Sequence, residues 1–296
     1  DMLSTTLLAT RAPVLAAPAM NTGMWEHPAT QENVRVLRER GVHFIGPEGG
    51  FLACGDQGTG RMSEPAAIFA AIEGLLASRQ DLAGLSVLVT AGPTREMLDP
   101  VRYITNRSSG KMGYAIAEAA ARRGAKVTLI TGPVNLAAPS GVETVPILST
   151  QQLYDEMLAR CGQADVIIQA AAPADFTPVQ AAEQKIKKQA GQPLMLTLRE
   201  TPDVAKAVGE RKKEGQILVG FAAETQRMLE NAEKKLQSKR LDLIVANDVT
   251  APGAGFDTDT NIVTFITRAG QESLPLMSKR QVADELLNRI LMLKAR

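Results

Sequence analysis

The chain holds 296 residues, 45% of them hydrophobic and 22% charged, with 33 Lys and Arg against 32 Asp and Glu. That length allows one large or two ordinary domains with a sizeable core, and the near-neutral balance excludes a global basic field for nucleic acid or an anionic membrane. Two cysteines, Cys54 and Cys161, argue against a disulfide framework and for a reducing, cytoplasmic setting. His27 and His43 cannot make a metal site alone, and CxxC and HxxxH spacings are absent from the sequence. No apolar run approaches membrane-span length, and no signal-peptide pattern opens the chain.

The first residue is Asp1, and residues 1–10 read as a helix already under way, so the expectation is a chain that lacks its start. "PVLAAPAM" at 13–20 is a strand candidate ending in Asn21, and a helix follows at roughly 28–40, closed by Gly41. "VHFIGP" reads as a second strand. Residues 48–62, "EGGFLACGDQGTGRM", are too glycine-rich for either regular element. Helical spacing returns at 64–78, and the polar run 79–84 marks a domain boundary, giving domains 1–80 and 84–296. "LSVLVTAGPT" then opens a new cycle: a buried strand, a loop at 99–113, a helix closed by Gly124 and the strand "AKVTLITGP". That is a βαβ unit. Further strands fall at 164–172, 216–224 and 241–248, with helices between, and Thr201-Pro202-Asp203 reads as a helix start with Thr as the cap. "NIVTFITRAG" and "ESLPLM" suggest a hairpin edge before a last helix at about 278–295. Alternation of strand and helix predicts a doubly wound, Rossmann-like, mostly parallel α/β sheet, preceded by a partial α/β segment. Ligands in such sheets sit beyond the carboxyl ends of the strands, here 91–113, 131–140, 172–188, 221–226 and 246–261.

"TNRSSGKMG" at 105–113 has the look of a phosphate loop but fails both usual tests. Gly110-Lys111 is followed by Met112, where a Walker loop needs Ser or Thr for Mg²⁺. The dinucleotide fingerprint needs GxGxxG directly after the strand and an acid about 20 residues on. Here the next strand ends in Thr131-Gly132, and there is no Tyr-x-x-x-Lys pair. What survives is a helix start at Ser108, Ser109, Gly110 and Lys111, flanked by Arg102 and Arg107. It can hold an anion on its free amides, or it can be a simple cap. Lys185, Lys187 and Lys188 lie in "EQKIKKQ", and Lys235 and Lys239 lie four apart on a helix. Each set alone reads as a solvated face. Together they could neutralise a triphosphate of charge about −4. Asp175, past the 164–172 strand, could bind a hydroxyl or a metal, or cap a turn.

"VTAGPTREMLDPVRYITNRSSGKMGYAIAEAAARRGAKVTLITGPV", with "KIKK", "VGFAAET" and "LDLIVANDV", closely resembles the phosphopantothenoylcysteine synthetase half of the bacterial bifunctional coenzyme A biosynthesis family. "PAMNTGMW" and "ACGDQGTGRM" resemble its decarboxylase half, so the resemblance covers essentially the whole chain. It implies ligation of 4′-phosphopantothenate and L-cysteine driven by CTP with Mg²⁺, through an acyl-cytidylate. It implies Asn106 on that intermediate, Arg102 on the pantothenate side, and Lys185 in the nucleotide step. Gln169, Ala170, Ala171, Asp175, Phe221, Lys235, Lys239 and the helix start Pro202, Asp203, Val204, Ala205 match CTP contacts. Ser108, Ser109 and Gly110 are expected on the pantothenate phosphate. Where the family has Ala-Val-(Ala/Ser)-Asp-(Tyr/Phe), this chain reads Ala172-Pro173-Ala174-Asp175-Phe176, and Pro173 removes an amide. In the decarboxylase half, which uses FMN, Asn21 resembles a substrate-binding asparagine and Cys54 the proton donor. The FMN loops and catalytic histidine of that half have no counterpart here, so the expectation is a chain that does not decarboxylate. A homodimer through the synthetase domain is also implied.

Two competing readings remain at this level: an NAD(P)-binding oxidoreductase on the same fold class, and a scaffold without activity.

Overall fold

The computed structural model describes residues 2–10, 12–51, 57–76, 80–188, 193–224, 228–248, 255 and 258–295. They form two compact units, Asp1–Arg79 and Gln80–Arg296.

The first unit runs α1 (Met2–Ala9), β1 (Leu15–Ala16), α2 (Thr22–Glu26), α3 (Pro28–Glu39), β2 (His43–Phe44), β3 (Glu48–Phe51), β4 (Gln57–Arg61) and α4 (Pro65–Leu76). β1 pairs parallel with β2. The strand candidate 13–20 shrinks to two residues because Pro13 and Pro18 flank it and can donate no ladder bond. Within the glycine-rich stretch 48–62, expected to be irregular, residues 48–51 and 57–61 instead pair as the antiparallel strands β3 and β4. Glycine there answers to close packing: a Cβ on Gly58 would stand 2.4 Å from Thr22 Oγ1. Large apolar side chains stay exposed on α1 and α4, among them Leu3, Leu8 and Phe69, and among the described residues of this unit Val34 is the one buried aliphatic side chain.

The second unit runs β5 (Ser86–Ala91), β6 (Arg95–Met97), β7 (Tyr103–Thr105), α5 (Lys111–Arg122), β8 (Lys126–Thr131), β9 (Val142–Pro146), α6 (Thr150–Arg160), β10 (Val166–Gln169), β11 (Phe176–Pro178), β12 (Leu198–Glu200), α7 (Val204–Arg211), β13 (Ile217–Glu224), α8 (Met228–Ser238), β14 (Leu243–Asp248), β15 (Thr260–Asn261), β16 (Val263–Thr267), β17 (Gly270–Ser273), β18 (Met277–Ser278) and α9 (Lys279–Lys294). Eight strands make one sheet in the order β17-β16-β14-β13-β10-β5-β8-β9. The pairs β14–β16 and β16–β17 at one edge are antiparallel, and the other pairs are parallel. The chain winds outward from β5 through β8 to β9, then returns to β10 and winds the other way. The sheet is thus doubly wound and mostly parallel, with its switch point between β5 and β10.

Residues alternate between two cores. Val87, Val89, Ala91, Val166, Ile168 and Val219 pack with α5 and α9 on one face. Leu88, Ile130, Ile167, Leu218 and Ile244 pack with α6, α7 and α8 on the other. A parallel sheet covered on both faces gives near-continuous aliphatic runs, which is why its inner strands were readable from sequence. The edge strand β9 and the small hairpins β6–β7 and β11–β12 lack such runs and were not expected. α7 starts at Val204 with Asp203 as its cap, not Thr201. Thr201 stays extended because β12 carries the chain alongside β11; its N–H donates to Asp175 O and its hydroxyl to Ala174 O.

Ile168 lies at the centre of the sheet with no exposed surface. Ile168→Ala is expected to cost about 2–5 kcal/mol through lost burial and a residual cavity, measured as a shift in the urea midpoint of the second unit.

Candidate functional site

The two strands at the switch point are tied together past their ends. Thr90 Oγ1 accepts from Ala171 N at 3.1 Å, Gly92 O accepts from Ala172 N at 2.9 Å, and Thr94 Oγ1 accepts from Ala174 N at 2.9 Å. Thr94 also shares a hydrogen bond with Thr150, whose amide and hydroxyl donate to the buried carboxylate of Glu96. These bonds hold residues 91–94 and 171–174 side by side as the floor of a cleft.

One cavity of about 460 Å³ opens where α5 begins. Asn106, Ser108, Ser109, Gly110, Lys111, Asn247, Asn261 and Lys279 line it. Gly110 caps α5 at φ 76°, a left-handed conformation suited to glycine, and gives no side-chain cap. Gly113 lets α5 lie against β5: a Cβ there would stand 2.6 Å from Ala91 Cβ and 2.8 Å from Thr90 O. The helix start thus sits on the strand crest with its dipole pointing into the cavity. Asn106 Nδ2 donates to Pro173 O at 2.8 Å. That bond leaves Oδ1 as the amide's remaining acceptor. Pro173, lacking an N–H, enters the site through its carbonyl.

A second cavity of about 400 Å³ lies beside it, lined by Gln169, Pro202, Asp203, Val204, Ala205, Lys235 and Lys239 among others. Ala171, Pro173, Asp175, Phe221 and Lys235 border both cavities, so the two form one bipartite cleft. Lys239 Nζ pairs with Asp203 at 3.0 Å. Burial opposes ionisation of Asp203, but the Lys206 amide and the Lys239 ammonium outweigh it and lower its pKa. Lys111 pairs with Asp259 at 2.7 Å, and Lys111 with Lys279 holds that carboxyl low as well.

Of the residues singled out from sequence, the cleft gathers Asn106, Ser108, Ser109, Gly110, Gln169, Ala170, Ala171, Asp175, Pro202, Asp203, Val204, Ala205, Phe221, Lys235 and Lys239. Two others lie outside its lining. Arg102 is bound to Asp99 at 2.5 Å, and Lys185 is exposed on the segment after β11. In the first unit Asn21 caps α2 by accepting from Gly23 N, and Cys54 lies outside the described residues. Sequence reasoning passed over Asn247, Asn261 and Lys279. The side-chain oxygens of Asn247 and Asn261 and the amide nitrogen of Gln169 are buried with no partner among the described residues. Buried polar atoms are rarely left so, and three around one cleft mark it as a place for a polar ligand. The "AND" at 246–248 was visible as a strand end; Asn261, on the two-residue β15, carried no local signal, and Lys279, the first residue of α9, read only as a helix start.

A doubly wound sheet with a cationic, two-chambered cleft at its switch point defines an α/β protein of the anion- and nucleotide-binding kind. Residues 82–293 match the family model described as DNA/pantothenate metabolism flavoprotein C-terminal domain, and residues 1–77 match the model described as Flavoprotein. The chain is 52% identical over 98% of its length to the Coenzyme A biosynthesis bifunctional protein CoaBC of Bacillus subtilis, covering 72% of that protein. It is 45% identical to the Escherichia coli K12 protein of the same name, with the same coverage. A crystal structure of the C-terminal domain of a CoaBC protein superposes with a TM-score of 0.61 at 45% identity, over 72% of this chain and 98% of that one. The DNA/pantothenate metabolism flavoprotein from Streptococcus pneumoniae gives 0.61 at 27% identity, over 71% and 99%. The chain belongs to the bifunctional coenzyme A biosynthesis protein family, a family of enzymes.

The Asp203–Lys239 pair makes the cleft's electrostatics testable. Lys239→Ala is expected to raise the Asp203 pKa towards the ordinary value near 4, read by carboxyl NMR titration. Because the native pKa is depressed, the pair's contribution to stability is present above the unfolded pKa and fades as pH falls through the folded one.

Proposed function

We propose that the second unit ligates 4′-phosphopantothenate to L-cysteine using CTP, releasing CMP and pyrophosphate through an acyl-cytidylate. The observation that carries this reading is the pair of cavities meeting at Asp175, Phe221 and Lys235 in a chain of this family. A carboxylate is a poor electrophile; its attack on the CTP α-phosphate displaces pyrophosphate and converts it into a mixed acyl-phosphate anhydride from which CMP can leave. The cysteine amine then attacks the acyl carbon. Such chemistry asks the protein mainly to align two anionic partners and to stabilise charge building on phosphate. In this reading the chamber of Lys235, Lys239, Gln169 and the α7 start takes CTP. The chamber at the α5 start takes phosphopantothenate, its phosphate on the Ser108–Gly110 turn and its carboxylate near Asn106. Lys239 exchanges Asp203 for phosphate oxygens as the nucleotide arrives. Lys185 supplies a further cation from the segment after β11.

Among the described residues no group of three or more His, Cys, Asp or Glu is placed to hold a metal. Mg²⁺ suits that pattern, since it is commonly held by substrate phosphates with one or two carboxylates. Asp175, at the junction of the chambers, is the carboxylate in position. Bound there with the triphosphate, Mg²⁺ would neutralise phosphate charge.

Asn21 and His27 cap α2 and α3 with their own side chains, so those two helix starts are already engaged and are not the ones that would receive a flavin phosphate. No step is assigned to FMN, and the Asn21 and Cys54 roles in a decarboxylation stand as proposals from resemblance. Pairing of two chains is proposed through the second unit, where Val101, Phe176, Val179 and Leu198 are exposed on or beside the two small hairpins. Among the described residues no helix is long and apolar enough to cross a membrane.

The direct test mixes CTP, phosphopantothenate and cysteine and follows CMP. Release of CMP dependent on both other substrates is expected; nicotinamide binding without CTP binding would sink the proposal. Lys235→Ala and Lys239→Ala should each raise the KM for CTP roughly 10- to 100-fold, the worth of a charge-assisted contact. Lys185→Gln should slow formation of the cytidylate.

A further inference from the structure

Asp99 is a fully buried carboxylate outside the cleft, and none of the chemistry above uses it. It sits at the turn between β6 and β7 and receives five hydrogen bonds. Oδ1 accepts from the amides of Val101 at 2.8 Å and Arg102 at 2.9 Å. Oδ2 accepts from Arg102 Nε at 2.9 Å, from Arg102 Nη2 at 2.5 Å and from the Ile186 amide at 3.1 Å. The same Arg102 nitrogen donates to Ile186 O at 2.5 Å. Both main-chain polar groups of Ile186 are therefore held, one by Asp99 and one by Arg102. A third tie, Ala182 N to Leu98 O at 2.9 Å, fixes the segment's start.

Two features make this more than a local turn. The bonds join residues 84 to 87 positions apart in sequence. One side belongs to the stretch that follows β5, the other to the stretch that follows β10, so the clasp ties these two stretches together a second time, farther along the chain than the floor bonds described earlier. And the held residue lies inside "EQKIKKQ": Lys185 and Lys187 are its immediate neighbours, and Lys188 follows. Three exposed cations in four residues repel one another and favour a loose, solvated segment. A buried carboxylate with its donors is the opposite of a loose arrangement, and here it grips the middle residue of that run.

We propose that Asp99 is a positioning residue of the ligation, fixing the lysine segment 183–188 at the switch point through Arg102 and the Ile186 main chain, so that Lys185 meets the triphosphate already placed. This rests on the ligase reading above. It also gives Arg102 a task in the chain itself: the guanidinium bridges Asp99 to Ile186 whatever else it binds. Burial opposes ionisation of Asp99, but the amides of Val101, Ile186 and Arg102 and the guanidinium outweigh it and hold the carboxyl far below the usual range. The clasp is thus intact wherever the enzyme would work, and weakens only as pH falls through that depressed value.

Asp99→Asn tests it. The substitution keeps the shape and the Oδ1 acceptor but turns Oδ2 into an N–H₂ facing three donors. Trypsin, which cuts after lysine, is expected to cleave after Lys185, Lys187 or Lys188 several-fold faster than in the parent, mapped by mass spectrometry. Turnover is expected to fall roughly 10- to 100-fold, as misplacement of a reacting group does, while the CTP dissociation constant stays within about two-fold. Ile186→Pro removes one donor and leaves Asp99 and Arg102 in place; it should reproduce the fall in turnover and the faster cleavage after Lys187 and Lys188, the bond between Lys185 and the new proline itself resisting trypsin, and it carries the test if Asp99→Asn does not fold. Unchanged cleavage with unchanged turnover in either folded variant would overturn the proposal. So would a fall in turnover matched by an equal loss of CTP affinity, which would mean the cleft itself had collapsed. If the parent releases no CMP, the ligase reading fails, and the trypsin measurement still decides whether the clasp holds the segment.

Discussion

Everything in the second unit's cleft hangs on how β5 and β10 are joined beyond the last ladder bond of the sheet. Two parallel strands whose crossovers run to opposite sides leave a gap at their carboxyl ends. In this chain the gap is floored by side-chain and main-chain bonds from Thr90, Gly92 and Thr94 to the amides of Ala171, Ala172 and Ala174. Those hydroxyls take the place of ladder carbonyls, so the two stretches keep a fixed spacing after the sheet has ended. The α5 start rests on one side of that floor and Asp175 rises from the other. A shift between them would move the two chambers relative to each other, and a reaction between two separately bound anions tolerates little such movement.

Two cations at the cleft's rim are paired with exposed carboxylates. Lys239 is paired with Asp203 and Lys111 with Asp259. A partly buried ammonium without a counter-charge is costly, and these carboxylates hold the cations in place without burying them deeply. Each pair is exposed enough for water to screen it, so its exchange for phosphate oxygens is not prohibitive. The contrast with Asp99 is one of depth. Its carboxylate is wholly enclosed and fully donated to, which suits a permanent structural bond and not an exchangeable one.

Pro173 supplies no amide to the stretch after β10, yet the ties on either side, from Ala172 and Ala174, are main-chain donors that proline does not touch. The carbonyl of Pro173 orients Asn106 instead. The constraint falls on the backbone path, and proline follows the same path.

The sequence by itself determined the doubly wound sheet, because strands buried on both faces must be continuous aliphatic runs and the helices between them must be amphipathic. It also determined the long motif around Asn106, whose glycines are dictated by a left-handed cap at Gly110 and a helix pressed onto a strand at Gly113. What it could not determine is which distant polar residues share a cleft. Asn247, Asn261 and Lys279 come from the ends of three separate elements, β14, β15 and α9, and Asp99 reads locally as an ordinary turn residue before a proline. Their environment is set by the approach of segments more than 80 residues apart. Likewise the small hairpins, the edge strand and the β3–β4 pair have no hydrophobic period of their own; pairing and burial against neighbours decide them, and those neighbours exist only once the chain has folded.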